Sequence, residues 1–302
     1  MTKRKVVLEG ILPAMVTPMD KAGAVDEAAL TRLTDHMVRA GCGGLIPCGS
    51  TGEFTSLSVA ERRRVTEVVV KAAAGRIPVV PHTGAMTAGE AIELSKAAQD
   101  AGASAVMAIA PYYEPLPWPD IKAYYTQLAA AIDIPIMVYN LPGATGVCLS
   151  GEQLKELASI DGVDYVKDSS ANAVMLTELL QRFSGDITVM NGWDSLTFYG
   201  LVAGARASVW GASNFIPELS VELFNAAARR QDLAAAREVW SRIWPICNFL
   251  ETAGSYVAAV KAGCELVGEP CGDPRLPILP LDAKKKGELA KLLKSATGPA
   301  AN

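Results

Sequence analysis

The segment Gly162-Val163-Asp164-Tyr165-Val166-Lys167-Asp168-Ser169-Ser170 is a short apolar run of β-forming residues that ends on a lysine and then turns polar. Lys71, Lys96, Lys122, Lys155 and the group Lys284, Lys285 and Lys286 fall in helical or terminal patterns that read as solvated faces. Lys167 does not. An ammonium at the end of a buried strand is costly unless it is paired or gives up its proton. A neutral lysine amine is the nucleophile that attacks a carbonyl to form a Schiff base. The plainer reading is a strand-end ion pair between Lys167 and the adjacent Asp168.

Other polar groups have the right types to surround such an amine. Gly49-Ser50-Thr51-Gly52-Glu53 places two hydroxyl residues between glycines, so backbone N–H groups and hydroxyls can converge on an anion. The same residues also suit a glycine-rich turn that leads into the helix starting near Ser58. In Ile136-Met137-Val138-Tyr139-Asn140-Leu141-Pro142, strand period two puts Met137 and Tyr139 on one side, where Tyr139 can move protons or simply fill space. Tyr112 and Tyr113 in Ala110-Pro111-Tyr112-Tyr113 are a second pair of phenols, and His82 ends the run before Thr83-Gly84.

The elements that must position these groups alternate regularly. Strands are expected over 11–16, 43–47, 77–81, 105–110, 134–139, 163–167, 187–191 and 207–210, with helical patterns between them. The first helix carries Leu30, Leu33 and Met37 on one face behind an Asp26 cap. Capping boxes are expected at Ser58/Glu61, Thr87/Glu90 and Ser150/Gln153. Eight such units in succession without a linker predict an α/β protein with a (β/α)8 TIM barrel. The barrel is assigned to residues 1–230 and a C-terminal helical appendix to 231–302, with helices over 218–230, 233–251, 255–267 and 283–294 and a fraying end over 295–302. In a barrel, chemistry gathers at the C-terminal ends of the strands, where Lys167, Tyr139, His82 and the Ser50/Thr51 turn all fall.

Composition removes several alternatives. Half of the 302 residues are hydrophobic and the net charge is −4, with no basic block beyond Lys284–Lys286, so nucleic acid is not an expected partner. No apolar run reaches the roughly 18 residues of a membrane span, and residues 1–5 do not lead into a signal-peptide core. Six scattered cysteines without a CxxC pair predict reduced thiols in a cytoplasmic protein, and the two histidines make a histidine-rich metal site improbable.

Taken together, GSTGE, PYY, YNLP and a strand ending in VKD, in that order, resemble the dihydrodipicolinate synthase/N-acetylneuraminate lyase family, from about Leu12 to the C-terminal helices. The resemblance implies a Schiff-base lyase or aldolase barrel acting on pyruvate or a related 2-oxo acid, with no metal or organic cofactor. It makes Lys167 the Schiff-base lysine and Tyr139 the proton relay. It makes Ser50 and Thr51 the carboxylate-holding hydroxyl pair, with Ser50 also in the relay. Tyr113 matches the tyrosine that a neighbouring subunit contributes, which implies a homodimer or homotetramer. Gly192, Asp194 and Val209 match positions near the substrate. His82 matches a position where sialic-acid-lyase-type members carry histidine, and a polar residue satisfied at the barrel rim is its plainer reading.

The chain departs from the family at His82, where many members have a small residue, at Asp194-Ser195, which only partly resembles the sugar-reading segment of the sialic acid lyases, and in the segment after YNLP. The synthases that feed lysine biosynthesis carry an arginine after YNxP that clamps the second substrate's carboxylate, and here that position is Ala144. An alanine cannot form a bidentate clamp, so condensation with aspartate semialdehyde is not expected. Two other classes fit the residues less closely: a phosphate-binding barrel enzyme using the glycine turn, and a catalytically silent barrel that binds a 2-oxo acid.

Overall fold

The computed structural model describes residues 6–298. Six parallel strands, β1 (Gly10–Pro13), β2 (Val106–Ile109), β3 (Ile136–Asn140), β4 (Val163–Asp168), β5 (Thr188–Asn191) and β6 (Ala207–Trp210), form one curled sheet in the order β1-β6-β5-β4-β3-β2. Helices connect them, as parallel pairing demands.

The expected strands over 43–47 and 77–81 do not form ladders. Each is reduced to isolated parallel bridges, Ala14 to Ile46, Leu45 to Val79 and, just beyond, His82 to Met107. Their backbones still bond in sequence: Ile46 N–H donates to Pro13 O at 2.9 Å, Val80 N–H to Leu45 O at 2.8 Å, and Met107 N–H to Pro81 O at 2.9 Å. Proline explains the break in the ladder. Pro47, Pro78 and Pro81 supply carbonyls that accept bonds but no N–H to return them.

The strands carry apolar side chains on both faces, as a sheet covered on both sides requires. Val106, Ala108, Ile136, Val138, Val163 and Val166 pack outward with helix residues such as Leu128, Leu154 and Leu179. Met107, Ile109, Met137, Tyr139, Tyr165, Met190 and Val209 pack together on the inner side. Tyr139 therefore does share a face with Met137.

Local signals place the helices. The helix Glu27–Arg39 is capped by Asp26, whose carboxylate accepts from Ala29 N–H at 2.9 Å, and it buries Leu30, Leu33 and Met37. Reciprocal capping boxes close at Ser58/Glu61 and Ser150/Gln153. At Thr87 only one half forms, with the hydroxyl accepting from Glu90 N–H. Beyond β6, the helices Leu233–Thr252, Tyr256–Leu266 and Ala283–Thr297 pack into the same cluster as Ile11, Leu30 and Leu45. The last helix runs through Ser295 rather than fraying there, and 299–302 lie outside the described residues. No described helix is long and apolar enough to cross a membrane. All six cysteines are unpaired.

Candidate active site

β4 carries Lys167 in register with Tyr139 of β3 on one side and Met190 of β5 on the other. The lysine side chain is 5% exposed. Its Nζ lies 4.1 Å from the centre of the Tyr139 ring, close enough for a cation–π contact, and makes no ion pair or hydrogen bond among the described residues. The plainer alternative, a pair with Asp168, does not form because period two turns Asp168 to the opposite face. There Asp168 accepts from Asn140 Nδ2 at 2.8 Å and from Ser170 Oγ at 2.9 Å, and burial pushes its carboxyl above the ordinary range.

Space for the lysine depends on Gly192. A Cβ there would stand 2.7 Å from Lys167 Cγ and 2.8 Å from its Cε, and would also collide with Ser169 Oγ. Any larger residue would push the amine aside. Ser169 Oγ donates to Gly192 O at 2.7 Å and fixes that turn against β4.

Lys167 opens into a cavity of about 330 Å³, at the small end of the roughly 300–1,000 Å³ range of ligand sites. Of the residues singled out from the sequence, Ser50, Thr51, Tyr139, Gly192, Asp194 and Val209 line it together with Lys167. The Tyr139 hydroxyl has no hydrogen-bond partner among the described residues, and the same is true of the Ser50 and Thr51 hydroxyls.

Three other residues stand elsewhere. Tyr113 is 82% exposed and does not line the cavity. Ala144, in the short helix Pro142–Thr145, faces solvent and also lies outside the lining. His82 is buried outside the lining, its ring edge-on to Phe54 at 4.5 Å and to Tyr139 at 6.1 Å. Its Nδ1 is 3.1 Å from Cys48 O, and its Nε2 has no partner among the described residues. Burial, followed by the charges of Arg62 and Lys167, holds the imidazole well below its ordinary value, so it is neutral.

The Ser50/Thr51 turn is tied down from behind. Glu53 adopts a left-handed conformation (φ 57°), which is unusual for a residue with a Cβ. Its carboxylate is 2.6 Å from Lys261 Nζ and accepts from Arg275 N–H at 2.8 Å. Arg275 also pairs with Glu61 at the start of the next helix. A second buried lysine is therefore structural.

Two carboxylates also line the cavity. Asp194 accepts from the Tyr256 hydroxyl at 2.8 Å and from Ala212 N–H at 3.2 Å, and burial pushes its carboxyl up to about 6. The Tyr256 oxygen accepts in turn from Gly211 N–H at 2.9 Å. Glu251 is the second, with Oε1 accepting from Ser195 N–H at 2.8 Å. Ser169, Trp193, Glu251 and Tyr256 are lining residues that sequence reasoning missed. Glu251 was nonetheless detectable: it lies four residues past buried Cys247 and eight past buried Ile243, on the inward row of its helix.

Fold and site thus define an α/β protein whose cavity is lined by one unpaired buried lysine. The family model of the dihydrodipicolinate synthetase family matches residues 7–296. A 4-hydroxy-tetrahydrodipicolinate synthase of Methanosarcina mazei is 33% identical over 291 residues, covering 95% of this chain and 98% of the relative. The chloride-inhibited dihydrodipicolinate synthase of Acinetobacter baumannii, solved with pyruvate, superposes with a TM-score of 0.91 at 32% identity, covering 96% of this chain and 99% of that one. A prophage protein of the same family from E. coli K12, also solved with pyruvate, gives 0.92 at 31% identity, covering 96% and 99%. The chain belongs to the dihydrodipicolinate synthetase family, a family of synthases and lyases.

Proposed function

We propose that the chain is a cofactor-free, Schiff-base-forming lyase or aldolase for pyruvate or a related 2-oxo acid, and that it does not make dihydrodipicolinate. One observation carries the first part: the Lys167 amine opens into a cavity without a carboxylate partner, against the ring of Tyr139. Pyruvate bound to two neighbours of the same fold supports it.

In this reading Ser50 and Thr51 hold the 2-oxo acid's carboxylate. The Lys167 amine attacks C2, and Tyr139 protonates the resulting hydroxyl so that it leaves as water. The imine then accepts the electron pair of a C3–H or C3–C4 bond, giving an enamine. That enamine adds to an aldehyde, is reprotonated after cleavage, or expels a β-hydroxyl as water.

The six-stranded sheet and the bonded stretches around 43–47 and 77–82 fit a (β/α)8 barrel within residues 1–230, followed by the helical region 231–302. Tyr113 is so exposed that a neighbouring copy's cavity is its natural destination, which implies a homodimer or homotetramer. Unpaired thiols suit a cytoplasmic enzyme. His82 is assigned to support of Tyr139 through its edge-on ring contact.

The second part rests on Ala144, which offers no guanidinium to a second carboxylate. Two measurements test the reading. Borohydride reduction with pyruvate should fix a pyruvate-derived mass on the peptide containing Lys167, and an unmodified Lys167 would refute the mechanism. Incubation with pyruvate and aspartate semialdehyde should give negligible condensation product, and robust synthesis would overturn the substrate assignment.

A further inference from the structure

The cavity carries charge unevenly. Among its lining residues Lys167 is the single cation, and the only two carboxylates, Asp194 and Glu251, lie side by side, Glu251 bonded to Ser195 next to Asp194. Lys285 approaches from behind Gly254, but its amine is held by Ala253 O at 2.7 Å and lies 3.9 Å from Asp282, outside the lining. Asp194 is fully engaged by Tyr256 and Ala212. Glu251 is not. Its Oε1 is oriented by Ser195 N–H, and its Oε2 has no partner among the described residues.

We infer that Glu251 is the specificity-determining residue for the part of the substrate beyond C3, accepting hydrogen bonds from hydroxyl groups there and repelling a terminal carboxylate. The inference rests on the Schiff-base reading and narrows it to 2-oxo acids with a hydroxylated tail, such as 2-oxo-3-deoxy sugar acids. Once Ser50 and Thr51 hold the first carboxylate and Lys167 holds C2, a tail filling the rest of the cavity reaches the Asp194/Glu251 pair. A carboxylate arriving there would meet like charge with no cation to offset it. A hydroxyl donor would meet a fixed, half-buried acceptor, and a hydrogen bond to a charged group of that kind is among the strong ones. The C-terminal helices thereby take part in the site, since helix Leu233–Thr252 supplies the substrate-facing Glu251.

The test compares wild type with Glu251→Ala and Glu251→Gln on a 2-oxo-3-deoxy sugar acid and on 4-hydroxy-2-oxoglutarate, with borohydride trapping of pyruvate in parallel. Wild type should prefer the sugar acid. Glu251→Ala should lose about 10- to 100-fold in kcat/KM for it, chiefly through KM. Both variants should shift the preference toward the dicarboxylate while still trapping pyruvate on Lys167. A wild-type preference for the dicarboxylate, or a substrate ratio within about twofold of wild type in variants that trap pyruvate, would overturn the assignment to Glu251. Failure of wild type itself to trap pyruvate would overturn the Schiff-base reading and this inference with it.

Discussion

Lys167 and Lys261 are buried to nearly the same degree, at 5% and 3% exposure, yet their surroundings are opposite. Lys261 has a carboxylate 2.6 Å away and a backbone carbonyl, Asp273 O, at 3.1 Å. Lys167 has an aromatic ring on one side and open cavity on the other. Burial alone does not mark a reactive lysine. The matched Lys261 serves as a strut, whereas the Lys167 amine has no fixed partner and faces open space that a carbonyl could enter.

Replacing each lysine should therefore produce opposite phenotypes. The largest effect is expected from Lys167→Ala: turnover and borohydride trapping fall to background while thermal stability stays within about 1 kcal/mol of wild type, because no carboxylate is orphaned. Retained turnover would remove the distinction between the two lysines. Tyr139→Phe keeps the ring against the amine but deletes the hydroxyl, so imine formation in rapid-mixing experiments should slow by about 10²–10⁴-fold. An unchanged rate would reduce Tyr139 to packing.

Lys261→Met should do the reverse of Lys167→Ala. It strands Glu53 and lowers unfolding free energy by about 3–5 kcal/mol, while the folded protein still traps pyruvate on Lys167. Adding Glu53→Gln should recover part of that loss in denaturant titrations, and full additivity would argue against the pair. The smallest effect concerns Asp194, a buried carboxyl with no cation. Its folded pKa of about 6 lies above the ordinary 3.8, so the folded state binds this proton more tightly. The contribution is full below the unfolded value and is lost as pH rises through the folded one, by roughly 3 kcal/mol in all. Asp194→Asn should flatten that slope between about pH 4 and pH 6, and an identical slope would assign it to other groups.

Much of this was legible in the residues. Lys167 stood out because a lysine closing an apolar strand contradicts its surroundings, and period two correctly joined Tyr139 to Met137. The Asp168 alternative was tied to sequence adjacency, whereas in a strand adjacency means opposite faces. Two expected strands failed to form ladders because prolines that punctuate apolar runs also remove donors. Lys261 escaped notice because it lies in a helical pattern, and its partner Glu53 is some two hundred residues earlier. Glu251 was legible only in part: helical periodicity locates an inward position, but only tertiary packing shows that the position faces a cavity.

The bond from Arg275 N–H to Glu53 joins positions 222 residues apart, and this separation has a consequence for biosynthesis. While the first half of the chain leaves the ribosome, the Ser50/Thr51 turn has neither Lys261 nor Arg275 to hold Glu53 in its left-handed conformation. Strands β2 to β6 can pair in order as they emerge and β1 joins once β6 is made, but the Ser50/Thr51 turn should settle only when nearly the whole chain has been made. Limited proteolysis of stalled nascent chains should show cleavage near residue 53 persisting until residues beyond 275 are exposed, and early protection there would contradict this order. A prematurely released fragment would then fold most of its sheet and still leave the Ser50/Thr51 turn unanchored.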